Sequence, residues 1–176
     1  MKLSALGLGL IVLAGTAGSG AEGLAATPTD IFIQRFLAKW SGGGSVLLSL
    51  TGSPWSVNCQ LDSTPGDNAV TLSGRCGLKY LFFISRSIEA RLRYVSGSDS
   101  YSGTYSVDGG PPAILSGRRT GNNLNVNVRW PQPVNGHRQA VIAIGNDGHV
   151  LTLKTIDPLG VNGTPITTAD LAFVAQ

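Results

Sequence analysis

The sequence predicts an all-β fold: a single antiparallel meander barrel of about 8–10 strands with one short N-terminal amphipathic helix. Three observations carry that prediction. Short segments in which apolar and polar residues alternate recur along the chain, separated by turn-forming residues; this is the pattern of a barrel or sandwich. The 176 residues include 24 glycines and only 13% charged residues, with 42% hydrophobic, too apolar for a disordered chain. No alternation of strands with helices appears, which excludes a parallel sheet. Neighbouring hairpins favour a meander, and closure of the sheet would remove its exposed edges.

In chain order, residues 1–26 read as a signal peptide. Met1-Lys2 is a minimal positive start, and Leu3 to Ala14 is an apolar run too short to span a bilayer. Small residues follow, so cleavage is expected near Ala21–Ala26. Residues 27–176 form the one barrel domain. Thr27-Pro28-Thr29-Asp30 opens a helix with capping residues. Ile33, Phe36, Leu37 and Trp40 fall on one stripe of it, and Ser41–Gly44 stops it. Such a helix should plug or flank a barrel. Ser45 to Leu50 is then a strand.

Trp55, Val57, Cys59 and Leu61 share one face of the next strand; Val70, Leu72, Gly74 and Cys76 share one face of its successor. A turn centred near Pro65–Asp67 brings Cys59 and Cys76 close but a few residues out of register, an offset for a bulge or the loop to absorb. An even cysteine count in an exported chain argues for one disulfide between them; two buried free thiols are the alternative.

Lys79 to Tyr94 supports two assignments. Leu81, Ile84, Ile88 and Leu92 approximate helical spacing. Strict alternation over Ile88–Tyr94 and the aromatic, β-branched content favour strand, with the apolar run Tyr80–Ile84 buried on both faces. Ser96–Ser100 turns the chain into Tyr101–Val107. Ala113–Gly117 is a short strand, followed by a turn over Arg118–Asn122. Leu124 to Trp130 alternates most cleanly, and Pro131–Arg138 is a loop. Ala140–Ile144, Val150–Ile156 and Ile166–Val174 are the last strands, with Asn146-Asp147-Gly148 a tight turn.

A helix, then the strand Trp40-Ser41-Gly42-Gly43-Gly44-Ser45-Val46, then an up-and-down meander resembles the lipocalin-like (calycin) barrels. The arrangement of the mature chain is also similar to uncharacterised exported β-barrel proteins of Gram-negative bacteria. Both resemblances imply a barrel, and neither brings functional residues with it.

Chemistry is sparsely signalled. His137 and His149 are the only histidines, and no G-x-S-x-G elbow accompanies them. Glu89 is the only glutamate besides Glu22, so a glycosidase pair would need one of the scattered aspartates. No glycine-rich segment precedes a helix as a phosphate loop does. No metal site and no cofactor is expected. A net charge of +3 without a Lys/Arg run argues against nucleic acid. The set best suited to a polar ligand is Arg91, Arg93, Tyr101 and Tyr105, because Arg forks and Tyr hydroxyls recognise acidic or sugar-like groups.

The expected function is therefore that of a non-enzymatic, periplasmic or secreted barrel without a stable membrane anchor. It would hold a small apolar or sugar-like (glycan) ligand in its mouth. The competing expectation is a protein-binding envelope factor or hydrolase inhibitor, acting through turns such as Arg118–Asn122 and Pro131–Arg138.

Overall fold

Val, Ile, Leu and aromatic residues that alternate with polar ones suit a wall with one dry face, and ten such segments build this molecule. The computed structural model describes residues 30–158 and 164–176, apart from the side chains of residues 82 and 83. The expected signal peptide, and residues 159–163 of the loop expected over Asp157–Pro165, lie outside the described residues. A short helix α1 (Ile31–Gln34) precedes strands β1 (Lys39–Val46), β2 (Trp55–Gly66), β3 (Ala69–Leu78), β4 (Leu81–Val95), β5 (Ser100–Val107), β6 (Ala113–Thr120), β7 (Asn123–Val134), β8 (His137–Asn146), β9 (Val150–Asp157) and β10 (Ile166–Ala175). Each strand pairs antiparallel with the next, and β10 pairs with β1, closing the barrel. The meander expected from the sequence is thus the observed fold. Of the segment Lys79–Tyr94, Lys79-Tyr80 is a turn and the rest is strand, not helix.

Several boundaries differ from expectation. The helix ends at Gln34, and Trp40 with the glycines belongs to β1, where Trp40 pairs with Leu61 and Ala175. Three successive glycines stabilise a helix poorly, whereas here they allow neighbouring backbones to approach closely. A Cβ at Gly42 would lie 2.0 Å from the Ala172 carbonyl oxygen. The first strand therefore covers Lys39–Val46, and Leu47–Leu50 fall in the connection that follows.

Cys59 and Cys76 sit directly opposite each other, with no offset. The turn is the two-residue Asp67-Asn68, with Asn68 at φ 47°, so pairing is centred between 67 and 68, midway between the cysteines. The disulfide is formed. Arg118 and Arg119 lie in β6, leaving only Gly121-Asn122 in the turn, and Pro131–Val134 extend β7. Asn135 and Gly136, at φ 52° and 83°, make a tight turn of the primed kind that suits twisted hairpins. Tyr80 and Ile84 are exposed rather than buried on both faces: Tyr80 lies in the turn, and Ile84 in the part of β4 where the register with β3 shifts.

The helix closes one end of the barrel. Asp30 caps it, its carboxylate accepting from the Ile33 N–H at 2.9 Å. Phe32, Ile33 and Phe36 insert into the core. The Phe32 ring meets Phe36 and Tyr101 edge-on at 5.3 and 5.7 Å. Arg35 donates to the Asn122 side chain at 2.6 Å and to the Asn146 carbonyl at 3.3 Å, tying α1 to the β6–β7 and β8–β9 turns. The Trp40 indole N–H donates to the Phe36 carbonyl.

Candidate functional site

Alternation and register decide which side chains enter the barrel. Near α1 the inward residues are sealed: Trp40, Leu61, Val70, Leu92, Tyr101, Leu124, Leu151 and Phe173 are buried. Elsewhere sealing is uneven: Val57, Leu78, Ala113, Leu115, Val128 and Ala140 are buried as well. Leu72 and Ile88 on one side, and Ile142, Ile144, Leu153 and Leu171 on the other, stay only partly buried, although they pack against the core cluster. Register confirms their direction: Ile144 pairs with Leu153, and Leu153 with Leu171, while their neighbours Lys154 and Asp170 form an ion pair on the outer face.

At the end remote from α1 the inward series finishes in Trp55 and Val107, which are 43% and 37% exposed, with Ile84 exposed nearby in sequence on β4. Arg86, paired with Cys76, shares the face of Ile88. Its guanidinium donates to Asp108 at 2.6 Å. The Asp108 carboxylate also accepts from the Ser87 N–H at 2.8 Å. The Arg86 hydrogen bond, and then the Ser87 backbone bond, hold Asp108 below the usual carboxylate range. The mouth is therefore an apolar rim with one charge pair.

Deeper inside, polar groups are few. Tyr105 meets Trp130 edge-on at 6.0 Å, and burial pushes its hydroxyl pKa up. Asp157 and Thr168 are buried and bonded to each other at 2.7 Å. These two were not singled out in the sequence. Asp157 sat at an expected loop start, and the β10 irregularity that turns Thr168 inward has no sequence signal beyond the Thr167-Thr168 pair.

The proposed ligand set is divided by the wall. Arg91 and Arg93 are exposed on the outer face of β4. Tyr101 and Tyr105 face the interior, Tyr101 at the plugged end with its hydroxyl donating to Asp30 at 3.0 Å. Burial first, and then this hydrogen bond, push the Tyr101 pKa up. The four side chains do not converge. His137 and His149 lie at turns on opposite ends of the barrel. Among the described residues no three His, Cys, Asp or Glu side chains gather as a metal site would require.

Two grooves lie on the outer wall. One, of about 670 Å³, crosses β6 to β9 over Ile114, Asn127, Arg129, Gln139, Val141 and Ile156. The other, of about 530 Å³, runs over Gly43, Ser45, Ser56, Asn58, Lys79 and Asp170. No protein-family model matches the chain, and no curated protein matches it either.

Proposed function

We propose that this protein is an exported, non-enzymatic binding module that takes a small, mainly apolar ligand into the barrel through the end remote from α1. The observation that carries the reading is the incompletely buried inner wall of Leu72, Ile88, Ile142, Ile144, Leu153 and Leu171. Inward apolar side chains that retain exposure form a concave, mostly apolar site with few polar groups, the usual character of small-molecule pockets. The apolar rim of Trp55 and Val107 supports entry at that end. Export is supported by the short apolar run at residues 3–14 and by the Cys59–Cys76 disulfide, which persists in oxidising compartments.

The test is titration of the native protein with the neutral dye N-phenyl-1-naphthylamine. Saturable binding of one dye per chain, abolished by Ile88→Arg in a still folded protein, is expected. A folded wild-type protein that leaves the dye free overturns the reading. A second reading, a protein-binding envelope factor, draws on the outer groove, where Ile114 is 55% exposed beside Val141. It requires that Ile114→Arg abolish capture of a partner while dye binding persists.

A further inference from the structure

We propose that Asp157 and Trp130 are the polar anchor of the barrel interior, and that the ligand they select is a long-chain amino alcohol. The proposal rests on the interior being a ligand cup.

Asp157 closes β9 on its inward face. It lies two residues beyond Thr155, whose partner Ile142 faces the core. It is 3% exposed. One of its oxygens, Oδ2, accepts from the Thr168 hydroxyl at 2.7 Å and from the Asn135 amide at 3.4 Å. The other, Oδ1, is buried and has no hydrogen-bond partner among the described residues. Among the described residues no lysine or arginine forms an ion pair with Asp157; the four ion pairs all lie on other aspartates. Buried carboxyl oxygens are ordinarily bonded, and charged ones compensated.

Trp130 shows the opposite need. Its ring packs edge-on against Tyr105, and its indole N–H is buried without an acceptor. Trp130 lies on β7 and Asp157 on β9. The strand between them, β8, presents the small Ala140 inward, opposite Val128 of β7. Among the described residues, an unmet acceptor and an unmet donor thus lie on strands two apart, toward the same end of the inner wall. A cationic amine is the group that both donates to Oδ1 and offsets its charge. A hydroxyl oxygen beside that amine accepts from the Trp130 N–H. The tail lies along the apolar inner wall toward Leu153 and Leu171.

Four probes with one tail length test this on the full native protein by calorimetry: 2-aminododecan-1-ol, dodecylamine, dodecan-1-ol and dodecanoate, each below its aggregation concentration. The expected order of affinity is the order just given, with dodecanoate weakest because its carboxylate meets another. Asp157→Asn, which keeps shape, should weaken both amines by about tenfold or more and leave dodecan-1-ol within about threefold. Trp130→Phe should bring the amino alcohol down to the level of dodecylamine and leave dodecylamine unchanged. The wild-type order stands as a test even if a variant fails to fold. Equal affinities, dodecanoate as the tightest probe, or no binding by a protein that still takes N-phenyl-1-naphthylamine would each overturn the anchor and spare the cup. If dye and probes all fail, the cup falls, and the anchor with it.

Discussion

Replacing Gly42 by alanine would put a methyl where the Ala172 carbonyl stands, 2.0 Å from its oxygen. Backbone on the neighbouring strand cannot give way as a flexible side chain does. The β1–β10 seam should therefore open, and the variant should lose about 3 kcal/mol or more, read from the urea midpoint. The tyrosines set an alkaline limit. Tyr101 and Tyr105 have pKa values raised in the folded state, chiefly by burial. Their contribution is fully present below the ordinary tyrosine pKa of about 10 and is lost as pH rises above it. Stability should fall from about pH 10 upward, with the ionisation of these two side chains, followed by ultraviolet difference absorbance, coinciding with loss of tertiary signal. Ionisation of all four tyrosines in a still folded barrel would contradict this. Much at this scale was hidden in the sequence. Asp157 looked like an ordinary turn aspartate, since nothing local distinguishes an aspartate at a strand end facing in from one facing out.

Two elements carry separable shares of stability. The plug depends on Phe32, whose ring is fully buried between Phe36 and Tyr101. Phe32→Ala should cost about 3–5 kcal/mol by lost burial and the cavity left behind, measured by thermal unfolding. The β2–β3 hairpin carries the disulfide. Its 17-residue loop constrains the unfolded chain by about 3 kcal/mol in the entropy model. The Cys59→Ala/Cys76→Ala pair should accordingly fold, with a denaturant midpoint lowered by that order. Element identity was largely legible, because alternation over Leu124–Trp130 or Ile88–Tyr94 follows directly from burial of one face. Boundaries were less so. Arg118-Arg119 and Pro131–Val134 resemble loop by composition, yet each has a partner strand alongside: Asn125 and Leu124 face the arginines, and Val134 meets His137. Likewise Trp40 continued a helical stripe in sequence, and only the seam with β10 explains why it is strand.

At the scale of the whole molecule, the closed meander was readable from turn spacing, but the interior was not. Sequence alternation tells which residues face inward; it does not tell how far the facing walls stand apart. That separation decides whether Leu153 and Leu171 touch a neighbour or solvent, and it is set by strand number and closure. Closure also has a kinetic consequence. Nine of the ladders join strands adjacent in sequence, while the tenth joins Trp40 to Ala175, a separation of 135 residues. Loop-closure entropy falls almost wholly on that last pairing. The hairpins from β2 to β9 should zip early as an open, curling sheet, and the β1–β10 ladder should form last. Pulsed hydrogen exchange during refolding would show Gly43 and Ala172 amides, which face each other across that seam, gaining protection after those of Val126 and Ile142. Until that step, the refolding chain presents two bare strand edges, so its vulnerability to association belongs to the moments before the ring shuts.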